Sequence, residues 1–377
     1  MCAADGHFTH SWTIPPFSPS ANTAGPAVTN ILFPCPAWGC AGRDTRRRSE
    51  LQTLATRATL SQFVRIPHNV MMDKPVAFFN GQWVPAETAT VPVTDAGFVL
   101  GITVAEQLRT FAGKLFRLDD HLDRLAHSME VVGVAPGMTM DQFAGAAEEL
   151  VARNHPLLAP GDDLGLSMVV TPGNYPTFAT AGVTRPVVCL HTYPLPFHLW
   201  AEKYREGQTL VTTAVEQVSA RCWPAALKCR SRMHYYLADR RAAAIDPRAR
   251  ALLLDDRGIV SEASTANVLI YNATEGLVSP LKTKILHGIS LSTAIELARR
   301  LDIPHGQRDL TSDDVASADE VLLTSTSMCI LPVTHFNGHP IGTGRSGEIF
   351  SSLLAAWSEL VGIDIVAQAT RHMCRCP

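Results

Sequence analysis

Residues 250–272 read RALLLDDRGIVSEASTANVLIYN. The apolar run at Leu252–Leu254 and the run at Val268–Ile270 have the composition of strands. Asp256-Arg257-Gly258 between them has turn chemistry. Beyond the Asp255-Asp256 pair that enters the turn, one further carboxylate stands in this stretch, Glu262, flanked by small residues. It is either an exposed strand residue or a carboxylate held for a purpose, and its surroundings in the sequence bear on which.

Thirty-four positions before Glu262 stands Lys228, in LKCRSRMHYYLAD (Leu227–Asp239). Weak strand-like sequence precedes it and a helical pattern follows. A lysine there is either a solvated charge or an amine at the edge of a pocket. In the second case, burial and neighbouring cations lower its proton affinity and make it a nucleophile. After Glu262 come two small-residue turns: LHGIS (Leu286–Ser290), entering a helix, and TSTS (Thr324–Ser327), ending a strand. Well before it, HLDR places Arg124 on an early helix.

These are the parts that pyridoxal 5'-phosphate requires. Its aldehyde needs a lysine amine, and its pyridine nitrogen needs a carboxylate that keeps it protonated, so that the ring draws electrons. Its phosphate needs helix N-terminal amides, hydroxyls and an arginine. Gly288 would let the backbone approach closely, with the Ile289 and Ser290 amides facing the anion. Each part alone has an ordinary reading: Arg124 paired with Asp120 one turn away, Gly288 as a plain N-cap, TSTS as common strand-end chemistry. The information lies in their joint order and spacing.

From about Val76 to Ile365 the chain resembles the class IV (fold-type IV) aminotransferases, a family that includes branched-chain aminotransferases, D-amino acid aminotransferases and aminodeoxychorismate lyase. FNGQWVP, DAGFVLG, FRLDDHLDRL, LKCRSR, LLLDDRGIVSEASTANVLI, LHGIS with AIELARRLDIP, and DEVLLTSTSMCILPV carry the resemblance. It implies an α/β (α+β) fold of the D-amino acid aminotransferase type: two domains with the cofactor between them, and a homodimer that completes the site. It further implies that Lys228 is the Schiff-base lysine, ending a strand, and that Glu262 partners the pyridine nitrogen. Arg124, Gly288, Ile289, Ser290 and Thr326 would surround the phosphate, and Leu286 would pack on the ring. Arg109, Arg232 and Ser327 are the candidates for substrate contact. Two departures stand out. Cys229-Arg230-Ser231-Arg232 follows the lysine where many relatives have small residues, and Ala105 replaces a common aromatic.

The implied activity is transfer of an amino group between a branched-chain or similar amino acid and a 2-oxo acid. The alternatives are aminodeoxychorismate lyase, D-amino acid aminotransferase, or a PLP-binding relative without activity. Arg124→Ala is expected to weaken the cofactor while leaving the cofactor-free protein nearly as stable.

The 377 residues are 46% hydrophobic and 18% charged with a net charge of -3, which fits a globular protein and gives no reason to expect a nucleic-acid partner. There is no apolar run of membrane-spanning length, and the nine cysteines lack zinc-site spacing. No metal and no membrane are therefore expected, and a cytoplasmic location is. Residues 1–70, rich in Pro, Ser, Thr and Ala and then basic, read as a poorly ordered extension; a transit peptide and a start at Met71–Met72 both fit it. The expected domains are 75–193 and 194–366, with a crossing segment at Pro194–Glu206 and a tail at 367–377.

Overall fold

The computed structural model describes residues 74–179 and 185–373. The expected extension at 1–70 lies outside the described residues, as do Cys2, Cys35, Cys40, Cys374 and Cys376.

Six strands form the first sheet: β1 (Val76–Phe79), β2 (Gln82–Pro85), β3 (Val104–Phe111), β4 (Lys114–Leu115), β5 (Leu164–Thr171) and β6 (Val187–Pro194), in the order β2-β1-β6-β5-β3-β4. The first hairpin closes on Asn80-Gly81. Both residues have positive φ, at 49° and 82°, which gives the twist a two-residue turn needs. Two helices, α1 (Leu118–Val132) and α2 (Met140–Asn154), cover one face of this sheet. Leu108, Leu166, Met168 and Leu190 meet Leu122, Leu125, Phe143 and Leu150 there. Each buried side chain of this kind contributes about 1.5–3 kcal/mol. Thr139 caps α2 in a reciprocal box with Gln142. Strand alternation turns Gln107, Ser167 and His191 to the other face, aligned across β3, β5 and β6.

The second sheet has nine strands: β7 (Gln208–Thr212), β8 (Ala249–Leu254), β9 (Val260–Ala263), β10 (Asn267–Asn272), β11 (Gly276–Ser279), β12 (His305–Gln307), β13 (Glu320–Ser325), β14 (Cys329–Phe336) and β15 (His339–Pro340). The order is β12-β11-β10-β13-β14-β7-β8-β9, with β15 beside β14. The pairs β11–β12, β14–β7 and β7–β8 are parallel. Helix α3 (Met233–Ile245) supplies the crossover between β7 and β8. Helices α4 (Ile289–Arg300) and α5 (Glu348–Val361) bury Leu291, Leu297, Leu353 and Trp357 against Leu269, Leu323 and Leu331.

Three expectations change. Lys228 does not end a regular strand; it lies in an extended loop fastened to the start of β3. Ala105 N–H donates to Lys228 C=O at 3.1 Å, Arg230 N–H donates to Thr103 C=O at 2.8 Å, and Cys229 bridges Val104. The proline and polar residues around it leave no run long enough for a ladder. Pro194–Glu206 is not a mere crossing, because Leu195, Phe197, Trp200 and Tyr204 are buried in the second core. The segment from 367 is not simply a tail: α6 (Ile365–Met373) runs through it, with Gln368 and Ala369 buried. Among the described residues no single helix is long and apolar enough to cross a membrane.

Candidate active site

One pocket brings together residues from both sheets. Arg124, Lys228, Arg232, Glu262, Leu286, Gly288, Ile289, Ser290, Thr326 and Ser327 all line it. These are all the residues singled out from the sequence except Arg109.

Glu262 sits on the edge strand β9 and is almost fully buried. Its two oxygens differ. Oε1 accepts a 2.6 Å hydrogen bond from the Tyr235 hydroxyl and a 2.9 Å one from Gln217 Nε2. Oε2 has only long contacts, 3.4 Å each, from Asn267 Nδ2 and the Leu286 amide. Burial raises the proton affinity of Glu262; the donors Tyr235, Leu286 and Gln217 and the charge of Lys228 pull it back.

Gly288 caps α4 with no side-chain bond to the first-turn amides. A Cβ at this position would collide with Asn267 Oδ1, so only glycine lets the chain pass so close to that side chain. Asn267 holds the approach from the other side, donating to Leu286 C=O at 2.9 Å. The open amides at the helix start, the Ser290 hydroxyl and the Ser325–Ser327 turn make an anion cradle. Thr324, on the same wall, has a buried hydroxyl without a partner.

Lys228 faces this cradle. Its amide donates to Ser128 Oγ on α1 at 3.2 Å. Burial pushes its amine down to about 7, helped by the cations Arg124, Arg232 and Arg230 and opposed by Glu106.

Arg124 reaches the pocket from α1, but not as a lone surface cation. Its Nε and Nη2 donate to the two oxygens of Glu106 at 2.7 and 2.8 Å, and its Nη1 donates to His287 C=O at 2.6 Å. Glu106 is fully buried and also lies 2.7 Å from His121 Nδ1. Burial alone would raise Glu106, but Arg124 and His121 hold it well below the usual carboxylate range. Burial keeps His121 below its ordinary value. The Asp120 partner considered from the sequence belongs to Arg117 instead. This pairing overturns the expectation for Arg124→Ala. Losing the guanidinium would strand a buried carboxylate, so the cofactor-free protein must weaken too.

Arg109 is corrected outright. It is 1% exposed and lies behind the pocket wall rather than in it. Its Nη1 donates to Ser327 C=O at 2.9 Å and its Nη2 to Gln368 Oε1 at 3.0 Å, while its guanidinium stacks on Phe111. Gln368 Nε2 in turn donates to Asp163 Oδ2 at 2.7 Å. Arg109 thus secures the Ser327 turn and does not line the pocket.

Reading the sequence missed Glu106, Tyr235, Gln217 and Asn267. Glu106 had a signal, a lone carboxylate inside the otherwise buried strand VAEQLRTF. Gln217 had none, since it meets Glu262 across 45 positions.

The family described as amino-transferase class IV matches residues 103–336, more than half of the chain. The chain belongs to the class IV aminotransferases. The family's activity is PLP-dependent transamination, and this class IV aminotransferase is an enzyme of that kind. D-alanine aminotransferase of Bacillus licheniformis is 29% identical over 280 residues, covering 74% of this chain and 94% of that relative. A putative branched-chain-amino-acid aminotransferase of Methanocaldococcus jannaschii is 27% identical over 290 residues, covering 75% and 95%. Among solved structures, a T.th. branched-chain amino acid aminotransferase with pyridoxamine 5'-phosphate matches with a TM-score of 0.68 at 25% identity, covering 77% of this chain and 95% of that one. The Escherichia coli branched-chain enzyme, at 23% identity and a TM-score of 0.70 over 76% and 95%, supports the shared fold. That fold is type IV, a mixed α/β architecture with two sheets.

Proposed function

We propose that this chain is a PLP-dependent aminotransferase for amino acids and 2-oxo acids in which Lys228 is the catalytic residue. The observation that carries the reading is an amine brought down to about 7, in one pocket with a buried carboxylate and a glycine-entered helix start. The fit to the cofactor rests on the donors present. The orphaned Thr324 hydroxyl and the open amides of Ile289 and Ser290 ask for an anion. Oε2 of Glu262 lacks a short partner and suits a ring N–H.

Bound pyridoxal phosphate would supply an aldehyde and an electron-withdrawing ring. Ser290, Thr326, the helix-start amides and Arg124 would hold its phosphate, Arg124 through guanidinium hydrogens that Glu106 and His287 leave over. Leu286 would pack against the ring, and Glu262 would keep the ring nitrogen protonated. Lys228, neutral above about pH 7, would hold the cofactor through its amine and, once the substrate amine has taken its place, would be free to accept the proton from the substrate Cα. Ser327 and Arg232 face the substrate side.

Homodimer formation is part of the proposal. Val93, Phe98 and Leu100 before β3, and Met233 and Tyr236 on α3, are large apolar side chains left exposed. Sedimentation of the holoprotein is expected to give twice the chain mass.

The test is a spectrum of the protein with added pyridoxal phosphate, followed by a donor screen with D-alanine, L-alanine and L-leucine against 2-oxoglutarate. A cofactor band that is lost on adding a productive donor and restored by the 2-oxo acid is expected. Lys228→Ala should bind the cofactor without turnover. Pyruvate release from aminodeoxychorismate without amino exchange would replace this reading with a lyase, and absence of any cofactor band would end it.

A further inference from the structure

Arg230 has so far been given only a minor electrostatic part, as one of the cations near the Lys228 amine. It follows Lys228 by two residues, and its backbone is fastened to β3 through Thr103. Its side chain crosses to the uncovered face of the first sheet. There Nη2 donates to Ser167 Oγ at 3.1 Å and reaches Gln107 Oε1 at 3.4 Å. Gln107 passes the chain on, donating to Tyr193 Oη at 2.8 Å, and both Gln107 and Tyr193 line the pocket. Among the described residues the Nε and Nη1 groups of Arg230 have no partner. Arg232, two residues on, bonds only through Nε to Cys229 C=O at 3.2 Å, which leaves both its terminal nitrogens to the pocket.

Among the described residues neither guanidinium has a carboxylate at ion-pair distance. The nearby carboxylates are committed: Glu106 to Arg124 and His121, and Glu262 to Tyr235 and Gln217. Both arginines are partly withdrawn from water, and they repel each other; Arg232 loosens the hold of Arg230 on its proton. Two adjacent, partly desolvated cations are costly without an anion between them. The neutral polar wall of Gln107, Ser167 and Tyr193 cannot supply that charge, but it can orient a planar group beside it.

We propose that Arg230 and Arg232 together receive a carboxylate of the substrate, with Arg230 setting the preference for acids over their uncharged analogues. The inference rests on the aminotransferase reading above and assigns a specificity-determining residue to that same site. Arg232 lines the pocket itself, and Arg230 borders it through Gln107, which also lines it. The carboxylate bridges them and relieves their repulsion. A fork of this kind suits arginine better than lysine, because the guanidinium offers two parallel donors.

The experiment compares an acid with its isosteric amide. Holoprotein is titrated with hexanoate and with hexanamide, neither of which can be transaminated, and binding is followed by the cofactor band. Parent, Arg230→Gln, Arg230→Lys, Arg232→Gln and the double glutamine variant are each measured. Loss of one charged hydrogen-bonding partner predicts hexanoate binding weaker on the order of 10- to 100-fold in each single variant, with hexanamide unmoved. Arg230→Lys should recover part of the loss. The double variant should lose less than the sum, because both residues hold one anion. Equal losses for acid and amide would make Arg230 a structural strut and overturn the proposal, as would unaltered hexanoate binding in Arg230→Gln. Thermal melts identify any variant that fails to fold, and Arg230→Lys then carries the comparison. A parent protein with no cofactor band would defeat the aminotransferase reading instead. Calorimetry of hexanoate against hexanamide on the cofactor-free protein would still decide the arginine pair.

Discussion

Glu262 meets its surroundings through two unlike oxygens, and that asymmetry sets what a neighbour can change. Tyr235 and Gln217 saturate Oε1 and fix the plane of the carboxylate, which leaves Oε2 toward the pocket. Tyr235→Phe would remove the shorter of these bonds and raise the proton affinity of Glu262 further. Pyridoxal phosphate affinity is expected to fall on the order of 10-fold, the worth of one charge-assisted bond, as measured by cofactor titration. An unchanged Kd would mean that Gln217 alone orients the carboxylate. Lys228 gives a prediction with a definite sign. Between about 7 and the ordinary 10.5, an unfolded chain carries a lysine proton that the folded chain has released. Stability of the cofactor-free protein therefore rises with pH through that window, and below about 7 this contribution is flat. Lys228→Met should abolish that slope in denaturant melts taken at several pH values, and an unaltered slope would show that the amine is not displaced from its usual range. In the parent, capture of pyridoxal phosphate should accelerate up to about pH 7 and then level off, since the neutral amine is the nucleophile.

At the scale of elements, α1 and β3 are joined by the buried pair Arg124–Glu106, and α4 begins against Asn267. Arg124→Ala is expected to lower the stability of the cofactor-free protein by about 3–5 kcal/mol, because it leaves Glu106 buried without its partner. Arg124→Met with Glu106→Gln should restore much of that stability without restoring cofactor binding. Chemical denaturation of both cofactor-free variants checks it, and a double variant no more stable than the single would deny the coupling. The helices were legible in the sequence: Thr139 announces the start of α2 as its N-cap, and the stripe Leu122–Leu125–Met129 announces the buried face of α1. Lys228, Glu262 and Gly288, each carried on a short local signature, do meet in one pocket. The residues that brace them were not legible. Glu106 and Gln217 act through contacts that exist only after the strands assemble, and no spacing along the chain encodes them. Arg109 was misread for the same reason: an arginine beside a pocket sequence looks like a ligand contact until the fold sets Ser327 C=O and Gln368 against it.

For the molecule as a whole, the pocket is a joint between two sheets, each with its own core. A ligand that binds only the assembled joint stabilises it by RT ln(1 + [L]/Kd), about 3 kcal/mol at roughly 100-fold excess over Kd. The melting temperature should therefore rise with pyridoxal phosphate concentration, and Gly288→Ala, which crowds Asn267, should shrink that rise. A Gly288→Ala protein with the full ligand-dependent rise would show that the helix start does not hold the phosphate. The clamp on the Ser327 turn has a different consequence, one of timing. Arg109 is synthesised early and Ser327 late, but the glutamine that completes the link, Gln368, lies on α6, the last described element to be made. Domains generally fold from the N-terminus as the chain emerges. A nascent chain can thus finish the first sheet, and even display Lys228, before the turn opposite it is tied down. Fastening of the Ser327 turn waits until α6 has been made, and a ribosome stalled before α6 would carry a folded first sheet beside a turn not yet tied down.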